Sequence, residues 1–318
     1  MAGEQIAHWP ASQSALAPAG PGALAIDRLA MTMFVGGTII LVLVMALSFV
    51  ALRPGSAARR ALRGSMFVSI MGIGFPIVTL TALLVYGLLV TRGLVAGEAP
   101  KLRIEVVGEQ WWWRVNYIDA DGAVALSTAN EVHIPVGHQI EFVVKAADVI
   151  HSFWVPALAG KLDMIPGRTN TLRFATDRPG IYRGQCAEFC GEQHAIMSLH
   201  VVALAEGEFD DWWARSIGAA ATPTDQVARR GQELFGTLGC GACHTVRGTP
   251  AAGRLGPDLT RIGSRTSIGA GLLPTNVGTL AGWVASSQHL KPGNRMPSFD
   301  RLQGTELRAL ATYLASLR

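Results

Sequence analysis

Two long stretches without a charged residue, 31–52 and 66–90, decide most of what this chain can become. They hold 22 and 25 residues. At about 1.5 Å of rise per residue, each makes a helix long enough to cross the roughly 30 Å hydrocarbon core of a bilayer. Two such runs in succession favour membrane spans over buried core helices. The composition agrees: 49% hydrophobic and only 16% charged residues is oily for a soluble protein. Pro76 lies inside the second run, where a membrane helix tolerates a kink. The short connection between the runs carries Arg53, Arg59, Arg60 and Arg63 and no acid. Excess Lys and Arg marks a cytoplasmic loop. That orientation puts the N-terminus and everything after residue 91 on the outer face, anchored by a two-helix transmembrane hairpin. Residues 1–30, rich in Ala, Pro, Gly and Ser, read as a flexible tail without a standard signal peptide.

The external part changes character twice. Over 101–208, Ile104 and Val106 alternate with Arg103 and Glu105, and Ile140 and Phe142 with Gln139 and Glu141. Period-two runs between Gly and Pro turns predict a β-sandwich or barrel. Residues 209–224 read as a linker. Residues 225–318 turn helical, with Leu307, Leu310, Leu314 and Leu317 on one face of a final helix over 305–318. The β part holds nine Lys/Arg against thirteen Asp/Glu, and the helical part eleven against five. Opposite charges predict electrostatic docking of the two. A flexible linker of 16 residues would reach roughly 20–24 Å and hold the partner at roughly millimolar local concentration. On that expectation, transfer between the two parts slows as salt is raised.

All four cysteines sit among other ligand-type residues. Cys240-Gly-Ala-Cys243-His244 is a CxxCH motif. Two thiols three residues apart can add to the two vinyl groups of one haem, with the adjacent His reaching the iron. A redox CxxC pair would favour a thioredoxin-like βαβ context, absent here. A thioether suits the sixth ligand of a high-potential carrier. Met296, between Pro292 and Pro297, is the candidate, and His289 the weaker competitor. The second cluster runs Cys186, Glu188, Cys190, His194, Met197, with His151 35 residues before Cys186. Thiolate, thioether and imidazole together select copper. Two Cys and two His also permit tetrahedral zinc, against which Met197 argues. Two small disulfides in a metal-free binding protein are the remaining alternative.

Residues 225–318 resemble class I cytochrome c. His151 with CxExCxxxHxxM resembles the binuclear copper A centre of cytochrome c oxidase subunit II, a likeness extending over roughly 24–208. The combination is similar to the caa-type haem-copper oxidases, whose subunit II carries its own cytochrome. The resemblance implies a multidomain membrane protein. It would comprise the transmembrane hairpin, a cupredoxin-like β-sandwich and a C-terminal all-α cytochrome c domain. It implies two copper ions bridged by Cys186 and Cys190, each completed by His151 or His194, with Met197 and the Glu188 carbonyl as weak axial ligands. It implies one covalent haem c on Cys240, Cys243 and His244, with Met296 opposite. Trp111, first of the run Trp111-Trp112-Trp113, matches the family's surface tryptophan for electron entry. The Glu188 carboxylate matches a ligand to a magnesium ion shared with subunit I, and Asp148 an acid on the cytochrome-docking face.

Subunits I and III would be partners, with a soluble or membrane cytochrome c or a cytochrome bc complex as donor and no nucleic acid. The bacterial inner (cell) membrane would be the location. Dioxygen reduction belongs to another chain, since neither apolar run contains a histidine. Ser69 stands where the family often has a glutamate near a proton pathway, and no Cys precedes 186 to serve as a lipid anchor. The rival functions are a copper-A nitric oxide reductase subunit and a free-standing membrane-anchored electron shuttle. Quinol oxidase subunits share the fold, but the 186–197 cluster argues against them.

Overall fold

The structure, a computed structural model, describes residues 12–53, 57–95 and 99–318. Residues 1–11 of the expected tail and 54–56 of the arginine-rich loop lie outside the described residues. The chain divides into a smaller unit over 22–98 and a larger one formed by 1–21 with 99–318.

The smaller unit is helical: α1 (Pro21–Leu52), α2 (Ala57–Leu62), α3 (Ser65–Ser69), a π turn at Ile70–Gly74, and α4 (Phe75–Val95). Two spans, Pro21–Leu52 and Ser65–Leu94, are long and apolar enough to cross a membrane, and nothing in their most apolar windows is buried within the chain. Their side chains therefore need lipid or another subunit around them. Thr32, Thr38, Thr79 and Thr91 each donate a hydroxyl hydrogen bond to the carbonyl four residues back, which keeps these polar groups satisfied without water. The first helix starts at residue 21 rather than 31, with Pro21 at its first position, where a missing N–H costs nothing. Absence of charge marks the apolar length of a span and not the helix ends, so Asp27 and Arg28 simply extend it. The π turn sits just before Pro76. Proline has no N–H for the carbonyl of Gly72, and its ring crowds that oxygen.

In the larger unit, residues 12–20 are not a free tail. Ser12 N donates to Ile181 O at 2.9 Å and Ala19 N to Ala157 O at 2.7 Å, so the segment is stitched to the β domain by backbone bonds that composition does not reveal. Ten strands follow in two five-stranded sheets. They are β1 (Leu102–Glu109), β2 (Trp112–Ile118), β3 (Val124–Ala129), β4 (Glu131–Pro135), β5 (Ile140–Ala146), β6 (His151–Trp154), β7 (Leu162–Met164), β8 (Asn170–Phe174), β9 (Gly180–Cys186) and β10 (Ser198–Leu204). The orders are β3-β2-β1-β5-β8 and β4-β10-β9-β6-β7. β1 runs parallel to β5 and β10 to β4. The alternation read from sequence is the packing: Ile104, Val106, Ile140, Phe142 and Val144 are fully buried between the sheets. Arg103 pairs with Glu141 and Lys145 with Glu105 along the other face.

The expected linker is largely a helix, α5 (Glu206–Ile217). Phe209, Trp212 and Trp213, at i, i+3 and i+4, cover the sandwich edge, and Trp212 stacks on His133 with ring centroids 4.2 Å apart. That helical spacing was the sequence signal for α5. The following residues are pinned too: Ala220 N donates to Arg247 O at 2.8 Å, and Arg247 Nη2 to Ser216 O at 2.7 Å. A free 16-residue tether is thereby overturned.

The C-terminal part contains α6 (Gln226–Thr237), a short hairpin of β11 (Ser267–Ile268) and β12 (Leu273–Pro274), α7 (Val277–Leu290) and α8 (Gly304–Ser316). Asp225 caps α6 by accepting from Ala228 N. α6 crosses α8 at Gly231, where an added Cβ would lie 2.0 Å from Ala309 O. Phe235 meets Tyr313 edge-on at 5.7 Å, and Leu310, Leu314 and Leu317 are buried as their spacing predicts.

Candidate metal centre and haem site

Antiparallel pairing of β6 with β9 sets Phe153 beside Cys186 and brings His151 over the loop that joins β9 to β10. Within that loop, His194–Ile196 form a 3-10 turn. Cys186 Sγ lies 3.8 Å from Cys190 Sγ, 3.9 Å from His151 Nδ1 and 3.1 Å from the Glu188 carbonyl oxygen. Cys190 Sγ lies 3.6 Å from His194 Nδ1 and 3.8 Å from Met197 Sδ. All six residues chosen from the sequence converge, and His151, Cys186 and Cys190 form a buried group able to hold a metal. The sulfurs are far beyond a disulfide bond of about 2.05 Å, and all four cysteines are free.

The two thiols are coupled through the 3.8 Å contact between their sulfurs. Their mutual hydrogen bond pushes Cys186 down to about 3, helped by His151 and neighbouring backbone against burial. The same bond, with burial, pushes Cys190 up. Burial acts to lower His151, but Cys186 and Asp148 outweigh it and leave the imidazole raised. Asp148 accepts from His151 Nε2 at 2.9 Å, Gln110 N at 2.8 Å and Val149 N at 2.8 Å. Burial would raise this carboxyl, yet those bonds hold it low. Sequence reading put Asp148 on a docking face. The structure turns it inward as the group that orients His151, because three donors converge on it.

The three tryptophans differ. Trp113 is core, 6.2 Å from His151 and 5.9 Å from Phe153. Trp112 lies under the Arg114 guanidinium at 4.7 Å. Trp111 donates Nε1–H to Cys190 O at 3.0 Å. It is only 8% exposed, not a surface residue, because the helical domain covers it. The Glu188 side chain is 44% exposed, 3.7 Å from Lys161 Nζ, so its carbonyl faces the thiols while its carboxylate stays accessible.

At the CxxCH segment, Cys240–Ala242 form a 3-10 turn. His244 N donates to Cys240 O at 3.0 Å, and His244 Nδ1 donates to Pro257 O at 2.8 Å, leaving Nε2 as the free ligand atom. Burial lowers His244, keeping it neutral. Gly256 makes room for the ring, since a Cβ there would lie 2.5 Å from His244 Cε1. Cys240 and Met296 pack on one apolar cluster, and Met296 O is fixed by Ser287 Oγ and Gln288 Nε2 at 2.9 and 2.7 Å. His289 is exposed, which argues against it as a ligand. Arg265, not foreseen, is buried with Nε unpartnered among the described residues, and its charge reaches His244. Its Nη2 donates to Asp258 O, and the unpartnered Nε leaves one buried donor that a bound group carrying carboxylates could take.

The family description "Cytochrome C oxidase subunit II, periplasmic domain" matches residues 118–204, and "Cytochrome c" matches 228–318. Cytochrome c oxidase subunit 2 of Alkalihalophilus pseudofirmus is 35% identical over 319 residues, covering 96% of this chain and 91% of that one.

The chain belongs to the cytochrome c oxidase subunit II family.

The subunit 2 of Bacillus subtilis is 30% identical, covering 81% of this chain and 77% of that one. The solved periplasmic domain of subunit II from Bradyrhizobium japonicum is 32% identical over 37% of this chain and 95% of that one, with a TM-score of 0.35. This subunit II carries a cytochrome c domain at its C-terminal side and is part of an oxidoreductase complex. The subunit II domain implies copper A and the cytochrome domain haem c. The soft donor set around Cys186 and Cys190 fits the first. The CxxC thiols, the neutral His244 and the unpartnered Nε of Arg265 fit the second.

Proposed function

We propose that this chain is the electron-entry subunit of a respiratory cytochrome c oxidase, passing electrons from a covalent haem c to a binuclear copper A centre and on to subunit I, which reduces dioxygen to water. Bound haem and copper supply reversible one-electron chemistry. Cys186, Cys190, His151 and His194, with Met197 and the Glu188 carbonyl, would hold the two copper ions. Burial of both thiols and of Met197 keeps water away. Asp148 holds the His151 ring with Nδ1 toward the sulfurs. Cys240 and Cys243 would anchor the haem covalently, and His244 and Met296 would hold its iron. Trp111 joins the two sides. The Glu188 carboxylate contributes to a magnesium site shared with subunit I.

Subunits I and III are the complex partners, and a soluble or membrane cytochrome c or a cytochrome bc complex is the donor. The external domains face the outside of a bacterial cell membrane, an orientation supported by the arginines at 53, 59, 60 and 63. The convergence of two thiols, two imidazoles and a thioether around one point carries this reading. Metal and haem analysis of the purified full-length chain tests it, with electron paramagnetic resonance of the oxidised form. The expected result is two coppers sharing one unpaired electron, plus one covalent haem. A zinc-loaded or colourless protein refutes it.

A further inference from the structure

The contact between the two external domains is built from buried hydrogen bonds. Ser198, next to Met197, donates both its N–H and its hydroxyl to Ala270 O, at 3.0 and 2.9 Å. Glu131 of β4, 4% exposed, accepts from Thr266 N at 2.8 Å and from Thr266 Oγ1. Among the described residues no ion pair crosses this boundary. Glu131 and Arg265 attract each other across it without forming a salt bridge, so the close contacts are hydrogen bonds.

Two residues of the loop that leads to Met296 stand out. Lys291 is 2% exposed. Its Nζ donates to Ile196 O at 2.8 Å, between His194 and Met197, and to Gly269 O at 3.0 Å. Its own carbonyl accepts from Asn294 Nδ2, and Asn294 Oδ1 accepts from Met296 N. One buried ammonium thus ties the Met296 loop to the turn carrying His194 and Met197. Gly293 lies against Trp111: an added Cβ would be 3.3 Å from the indole Cη2 and Cζ3. Along its Nε1–Cζ2 edge the same ring meets Gly191, whose Cβ would be 3.2 Å from Cζ2 and 3.4 Å from Nε1. A glycine of each domain, both at positive φ, thus packs against the indole, and a side chain at either would crowd it.

We propose that the cytochrome domain is permanently seated on the copper domain as a lid over Trp111, with Lys291 as the positioning residue. On this proposal, which rests on the haem-to-copper reading above, transfer within the chain involves no docking step and no external protein reaches the Trp111 indole. One electron leaves the haem side and one arrives at the copper side, with no atom or proton transferred.

The test uses the full-length chain loaded with haem and copper, its haem reduced by a light flash with a photoreductant, and copper absorbance followed in time. A seated lid gives a transfer rate that changes less than twofold as glycerol and salt are raised. A tethered domain that must find its site gives a rate that falls with viscosity or salt, and that result overturns the proposal. Failure of the functional reading looks different: the haem is reduced and the copper never follows. In Lys291→Met, the ammonium is lost and two buried carbonyls go unpaired. We expect transfer to slow about tenfold and to become viscosity-dependent, with the haem and copper spectra unchanged. A variant with the wild-type rate and no viscosity dependence removes Lys291 from the role. The wild-type measurement stands alone should the variant not fold.

Discussion

Asp148→Asn is a near-isosteric change with a calculable effect on the copper site. The carboxylate accepts three hydrogen bonds: Oδ1 takes Val149 N and His151 Nε2, and Oδ2 takes Gln110 N. An asparagine offers one oxygen. With that oxygen at the Oδ1 position, its NH2 faces the Gln110 N–H, two donors against each other. With the oxygen at Oδ2, the NH2 faces His151. The bond to His151 becomes neutral in one case and is lost in the other. Hydrogen bonds to charged groups contribute about 1.5–3 kcal/mol and neutral ones about 0.5–1.5, so the bond that orients His151 weakens by about 1–2 kcal/mol. Groups that orient a metal-bound histidine typically matter by about 10–100-fold in affinity. At about 1.4 kcal/mol per tenfold, the structure points to the lower end, about tenfold. Competition with a copper chelator at fixed pH, on the full-length chain, measures this directly. Asp119→Asn, in an exposed turn, serves as control. Copper affinity within twofold of wild type would refute the role given to Asp148.

Acid should weaken the fold through two buried histidines. Burial lowers His133 to about 3 and His200 to about 4. The unfolded chain then binds more protons than the folded one below about pH 6.5, so stability is full above that value and is lost as pH falls toward 4. The slope is about 1.4 kcal/mol per pH unit per histidine, and denaturant titrations of His200→Gln should show it reduced. Trp212→Ala removes the ring that stacks on His133 and packs at a tilt against Tyr117. A loss of about 2–4 kcal/mol is expected for a partly buried Trp, and an unchanged melting temperature would deny that α5 is a packed element. Gly231→Val drives a side chain into Ala309 O. It should prevent α6 from seating on α8, seen as loss of covalent haem from the expressed chain; normal haem content would show the contact is slack.

Much of the site was legible because its chemistry is local. Cys186, Cys190, His194 and Met197 lie within twelve residues, and Cys240, Cys243 and His244 within five. Thiols, imidazoles and thioethers declare their ligand class wherever the backbone puts them. The two spans were legible because lipid imposes a length and forbids charge, and the strand alternation because a sandwich has one buried face. Tertiary structure alone decided the rest. Whether residues 209–224 were a tether depended on an edge of the sandwich waiting for Phe209, Trp212 and Trp213. Asp148 became an orienting group because β6 folds His151 back over it. Trp111 became buried, and Lys291 became a pin, because two domains far apart in sequence share a boundary. Net charge could not specify such a boundary, because its bonds run largely to backbone groups and to one buried carboxylate, Glu131, whose positions only the folded chain fixes.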